Sequence, residues 1–157
     1  MDSFFSIQKL SATGAFCPER KAFFISIGCS LPLMQSQPKQ MKYEITKSFR
    51  FEAAHSLPHL PECHQCHRLH GHSYELIVGV SGPVIGEWVQ DYADISAVVS
   101  PLVKRLDHYN LNEVLSCPTT AENLAHWIWS HLAASLPLLS RIEVRETPTS
   151  NVILTRE

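Results

Sequence analysis

The stretch HGHSYELIVGVSG, residues 70–82, alternates so regularly that it constrains the rest of the chain. By the period of two, His70, His72, Tyr74, Leu76, Val78 and Val80 fall on one face, which makes the segment a strand with one buried side. Two imidazoles head that face, about 7 Å apart along the strand and close enough to grip one ion. Gly71 between them lets backbone or ligand approach closely. A second segment, KYEITKSFRFEAAH (42–55), is rich in aromatic and β-branched residues and also reads as a strand. Phe49, Phe51, Ala53 and His55 share one of its faces. Antiparallel pairing of the two strands would bring His55 beside His70 and His72. Three neutral nitrogen ligands with a fourth position open is the pattern of a catalytic zinc. Any one of these histidines alone would pass for a polar residue at a strand end. Two at one-face spacing, with a third ending the neighbouring strand, favour a metal.

The remaining pattern completes an α+β domain. SGPVIGEW (81–88) carries turn punctuation. Ile95, Val98, Val99, Leu102, Val103 and Leu106 follow helical spacing, with Asp91 or Asp94 available as N-cap and Pro101 expected to kink the helix. LDHYNLNEVLSCP (106–118) reads as a loop. Thr119-x-x-Glu122 is a capping-box signature opening a second helix with Leu124, Trp127, Ile128 and Leu132 as its apolar stripe. SRIEVRETPTSNVILTRE (140–157) forms two short strands around a TPTSN turn. The order β-β-α-α-β-β implies an antiparallel sheet with two helices on one face. Residues 1–40 keep no sustained period and end in the polar MQSQPKQ, so they are expected to be a poorly ordered extension ahead of a domain spanning 41–157.

The stretch CHQCHRLHGH (63–72) concentrates chemistry. Cys63-x-x-Cys66-His67 has the form of a c-type haem attachment, which requires export. Residues 22–34 faintly resemble a signal sequence but contain two serines and a proline and no small-x-small cleavage site follows. A structural zinc on Cys63 and Cys66 would want a second ligand pair, yet Cys117 stands alone. The third division gives the histidines a catalytic metal and leaves one cysteine to do chemistry. Five cysteines without framework spacing fit a reducing cytoplasm better than a secreted scaffold. No apolar run reaches the roughly 18 residues of a membrane span. A net charge of −2 gives no basic surface for nucleic acid. Further on, Glu146 shares a strand face with Ile142 and Val144, while Glu143, Arg145 and Thr147 take the other. An acid on the apolar face is costly unless it has a partner.

FEAAH, CHRLHGHSY, LDHYNLN, PTTAENLAHWIW and VRETPTS occur in this order over residues 42–157. Together they resemble the 6-pyruvoyltetrahydropterin synthase family, and more closely its bacterial branch, 6-carboxytetrahydropterin synthase. The cysteine four residues before the first HGH histidine matches the carboxy branch. The resemblance implies a tunnelling fold (T-fold), in which three sheets join into a barrel and two trimers stack as a homohexamer with active sites between subunits. It places one Zn2+ per chain on His55, His70 and His72 and the catalytic cysteine on Cys66. A thiolate near a dication and imidazoles has a lowered pKa and suits a general base. The family's proton relay falls on Asp107 and His108. Glu146 would anchor the amino-pyrimidine edge of a pterin and join the relay. Thr120 would contact the pterin, beside Ala121 where the family usually carries Ser or Thr.

The implied substrate is 7,8-dihydroneopterin triphosphate, converted to 6-carboxy-5,6,7,8-tetrahydropterin, acetaldehyde and triphosphate for queuosine biosynthesis. No nicotinamide is required, in keeping with the lack of a G-x-G-x-x-G motif. The alternatives are the family's pyruvoyl synthase activity, which stops at triphosphate elimination, and a non-catalytic zinc-binding module.

Overall fold

A computed structural model describes residues 41–156. The expectation for residues 1–40 lies outside the described residues. Within them, β1 (Tyr43–His55) and β2 (His70–Gly82) pair antiparallel along their whole length, from Tyr43 opposite Gly82 to His55 opposite His70. Their alternation is the expected one: Phe51, Ala53 and His55 of β1 and Tyr74, Leu76, Val78 and Val80 of β2 are buried, while Glu52 and Ser73 face outward. β4 (Leu139–Thr147) pairs with β2, and β5 (Ser150–Thr155) with β4, both antiparallel.

The helices α1 (Tyr92–Leu106) and α3 (Ala121–Leu132) lie on the buried face. Ile95, Val99, Leu102 and Leu106 of α1 and Leu124, Ile128 and Leu132 of α3 close the core against the sheet. Asp91 caps α1 by accepting the Ala93 N–H at 2.7 Å. The helix runs continuously through Pro101, whose ring sits on the exposed side.

Two expectations need correction. Residues 106–118 are not merely a loop. Tyr109–Asn110 form a short strand, β3, parallel to β1, so the sheet is mixed, in the order β3-β1-β2-β4-β5. A one-turn helix, α2 (Leu111–Val114), follows and is capped by the Asn110 side chain accepting the Asn112 N–H. Two-residue pairing carries no periodicity, so only the presence of β1 reveals it. The cap of α3 is also displaced by one residue. Thr120, not Thr119, accepts the Asn123 N–H, at 3.4 Å. Thr119 is instead buried, with its hydroxyl donating to the Ser56 carbonyl.

The sheet face away from the helices hides a second acid. Glu143 is 1% exposed and accepts from Arg141, from Arg145 Nε at 2.7 Å and from Asn151 Nδ2 at 3.0 Å. Burial alone would raise its pKa, but the hydrogen bonds and charges of Arg145 and Arg141 win and hold it below the usual carboxylate range. A depressed folded pKa contributes stability that is complete above the unfolded value, about 4.3, and is lost as pH falls through the folded value. Glu143→Gln is therefore expected to destabilise the protein by about 1–3 kcal/mol at pH 7, with the difference shrinking toward pH 3. Urea denaturation at both pH values reads this directly. An equal deficit at both would show that the charge is not what matters.

Candidate metal centre and active site

The β1–β2 register builds a cluster of three histidines. His55 ends β1 directly opposite His70, and His72 stands opposite Ala53, two residues back. Since residues i and i+2 of a strand share a face, all three imidazoles project to the same side. Their ring centroids lie 4.5, 5.2 and 5.0 Å apart for the pairs 55–70, 55–72 and 70–72. One ligand atom from each lies within 4.8 Å of the other two.

The hydrogen bonds behind the cluster orient two of the rings. His55 Nδ1 lies 2.8 Å from the Thr119 carbonyl and His70 Nδ1 lies 2.8 Å from the Arg68 carbonyl. A carbonyl only accepts, so each Nδ1 carries a proton, and in the neutral ring Nε2 keeps its lone pair. Burial lowers the His55 pKa, which favours this neutral form. His55 Nε2 is buried and has no hydrogen-bond partner among the described residues. An orphaned buried acceptor costs about 1–3 kcal/mol, and a cation beside it would remove that cost. The donor set thus fits a metal that takes neutral nitrogen, as zinc does, with backbone carbonyls fixing the rings from behind.

A cavity of about 660 Å3 opens over this cluster, and the three histidines share its wall with Cys66, Thr120 and Glu146. Cys66 sits in a 3-10 turn, Gln65–His67, on the loop between β1 and β2, and is partly buried. Glu146 enters from β4, where the pairing with β5 shifts register between Arg145 and Thr147. The partner expected for this acid is found in the Tyr74 hydroxyl, 3.5 Å from Oε1, while His55 Nε2 stands 3.9 Å from the same oxygen. Tyr74 is 1% exposed, and burial pushes its phenol well up, so the hydroxyl remains a donor. Thr120 reaches the cavity from the N-terminus of α3, beside Ala121.

Asp107 and His108 form a pair of their own. Their side chains meet at 3.0 Å, Nδ1 to Oδ1, because His108 adopts a left-handed backbone with φ of 63°. The same Asp107 oxygen accepts the Glu52 N–H at 2.9 Å. That bond, followed by His108, holds the Asp107 carboxyl below its usual range. His108 is 77% exposed and lines a neighbouring groove with Glu52, Gly71, Tyr109 and His72, which also faces the cavity. Within one chain, the fold does not bring this pair into the cavity of Cys66. Of the candidate residues, His55, His70, His72, Cys66, Thr120 and Glu146 come together and Asp107 and His108 stand apart. Sequence reasoning missed Thr119, whose carbonyl orients His55. A backbone contact of this kind leaves no side-chain signal.

Residues 44–157 match the family described as 6-pyruvoyl tetrahydropterin synthase. The chain is 44% identical over 116 residues to the 6-carboxy-5,6,7,8-tetrahydropterin synthase of Synechocystis sp., covering 68% of this chain and 88% of that one. It is 38% identical over 97 residues to the dihydroneopterin monophosphate aldolase of Pyrococcus furiosus, covering 62% and 81%. In structure it resembles the 6-pyruvoyl tetrahydropterin synthase of Caenorhabditis elegans, with a TM-score of 0.68 over 75% of this chain and 98% of that one, at 23% identity.

Proposed function

The chain belongs to the 6-pyruvoyl tetrahydropterin synthase family, and from that membership we propose that it is a zinc-dependent 6-carboxy-5,6,7,8-tetrahydropterin synthase. It is a lyase acting on 7,8-dihydroneopterin triphosphate. One water is consumed, and triphosphate and acetaldehyde leave. The observation that carries this reading is the unpartnered Nε2 of His55, set among two further imidazoles on a cavity wall that also holds Cys66 and Glu146. An acid, a thiol and a nitrogen-rich metal site around one cavity suit proton removal from a carbon next to a pterin ring.

His55, His70 and His72 would hold Zn2+, which when bound supplies Lewis acidity to hydroxyl groups that reach it. Cys66 acts as the base that takes the proton from the side-chain carbon adjacent to the ring. Glu146 accepts two N–H bonds from the amino-pyrimidine edge and, as in the family, also joins the relay. Thr120 adds a hydroxyl contact at the pterin. The Asp107–His108 pair moves hydroxyl protons, with Asp107 fixing the imidazole tautomer. Since that pair lies away from Cys66 in its own chain, it serves the cavity of a neighbouring copy in a homohexamer of two trimers.

The same reading places the protein in the cytoplasm, where its product feeds queuosine biosynthesis. Among the described residues no helix is long and apolar enough to cross a membrane.

Product analysis tests the reaction. Purified protein incubated with dihydroneopterin triphosphate is expected to release acetaldehyde and leave a carboxylated tetrahydropterin, both read by mass spectrometry after trapping. A tetrahydropterin that keeps the three-carbon side chain would make the chain a pyruvoyl synthase instead. Turnover of the monophosphate, with the triphosphate inert, would align it with the Pyrococcus relative's activity. Zinc without any turnover would leave the non-catalytic module.

A further inference from the structure

The cysteine- and histidine-rich loop contains side chains that neither the metal site nor the base uses: Cys63, His64 and His67. Cys63 is exposed. The two histidines, in contrast, are both committed to backbone groups around Cys66. His64 caps the 3-10 turn, its Nδ1 accepting the Cys66 N–H at 3.1 Å. His67, at the other end of the turn, donates from Nδ1 to the Leu60 carbonyl at 2.8 Å. Three main-chain bonds complete the brace: Leu57 N–H to the Cys66 carbonyl at 2.7 Å, His67 N–H to the His64 carbonyl at 3.0 Å, and His64 N–H to the Pro61 carbonyl at 2.8 Å.

The N–H and the carbonyl of Cys66 are therefore both fixed, one by a side chain and one by the start of the same loop. Loops are the mobile part of a fold, and a reactive group must be held within about 0.5 Å of its productive place. We propose that His64 and His67 are the positioning residues of Cys66, clamping its turn so that the thiol faces the cavity at a fixed distance from the metal cluster. This rests on the reading of Cys66 as the base. It gives the apparent haem signature a different meaning: His67 follows the second cysteine because a donor is needed where the turn ends.

The clamp has a specific chemical signature. Both histidines use Nδ1, the ring atom nearer the backbone, one as acceptor and one as donor. Asparagine places an acceptor and a donor at that reach, and glutamine places them one bond further out, nearer the position of Nε2. Asn is also among the strongest N-cap residues.

The test compares His64→Asn, His64→Gln, His67→Asn and His67→Gln with the parent chain, measuring zinc content, kcat and KM on dihydroneopterin triphosphate. Both Gln variants are expected to keep their zinc, hold KM within about twofold and lose about tenfold or more in kcat, as misplacement of a reacting group does. Both Asn variants are expected to stay within about threefold of the parent in kcat. Gln and Asn variants with the same kcat would overturn the proposal, as would a change confined to KM or a loss of zinc. A second readout does not depend on the reaction. Alkylation of Cys66 by iodoacetamide, followed by peptide mass spectrometry, is expected to run about threefold faster in the Gln variants, whose turn is released, and at the parental rate in the Asn variants. Equal rates in all five proteins would refute the clamp. A parent chain that leaves the triphosphate untouched would instead refute the role of Cys66 as base, with the alkylation rates still deciding the clamp.

Discussion

Cys66→Ala protein is expected to bind zinc and pterin substrate as the parent chain does, and to turn the substrate over about 10²–10⁴-fold more slowly. That range is the usual contribution of a positioned general base, and among the described residues Cys66 is the one thiol that lines the cavity. Glu146 comes from a different element, β4, where it accepts from the Tyr74 hydroxyl and stands 3.9 Å from His55. The other thiol of the C-x-x-C spacing, Cys63, is exposed on the loop and does not line the cavity, so Cys63→Ala is expected to keep parental kcat. The pair of variants separates the two cysteines of the C-x-x-C spacing. Steady-state kinetics with zinc measured on the same samples gives the answer. Full turnover by Cys66→Ala would remove the thiol from the mechanism, and loss of zinc would move it into the metal site.

His70→Ala is expected to drop zinc from about one ion per chain to a small fraction of that after dialysis, and activity with it. The site offers three nitrogen ligands, two of them with rings set by backbone carbonyls, and removing one leaves two donors for an ion that wants four. The effect should exceed the 10–100-fold typical of losing an outer hydrogen bond to a ligand. Chelation of the parent protein should have the same consequence, reversed by added zinc. Elemental analysis decides: retention of zinc by His70→Ala would show that the ion is held elsewhere. Because the ligands must be neutral, metal content of the parent should also fall on acidification.

The sheet and the meeting of the three histidines were legible in the sequence for the same reason. Alternation over residues 70–80 and 49–55 assigns each side chain to a face, and a histidine two residues from another cannot leave that face without breaking the pattern. The helices α1 and α3 follow from apolar spacing in the same way. Cys66 and Glu146 were legible as candidates, one through the family resemblance and one as an acid on an apolar face. What escaped were features without a period. β3 exists only because Tyr109 and Asn110 find Ala53 and Ala54 alongside. The cap of α3 moved from Thr119 to Thr120 because the Thr119 hydroxyl and carbonyl are taken by Ser56 and His55. Glu143, placed by alternation on the outer face, is buried there by two arginines brought from positions 141 and 145 of the same strand and by Asn151 of the next.

By itself the sequence determined which residues share a face, and therefore that three imidazoles with available ring nitrogens can meet. That is local chemistry, fixed by the two-residue repeat of a strand. The tertiary structure alone decided the rest: the Thr119 carbonyl behind His55, Asp107 held by the Glu52 N–H, and His108 in a groove that Cys66 does not line. Those placements depend on register and on chain segments more than fifty residues apart, and no spacing within one segment encodes a contact made across two.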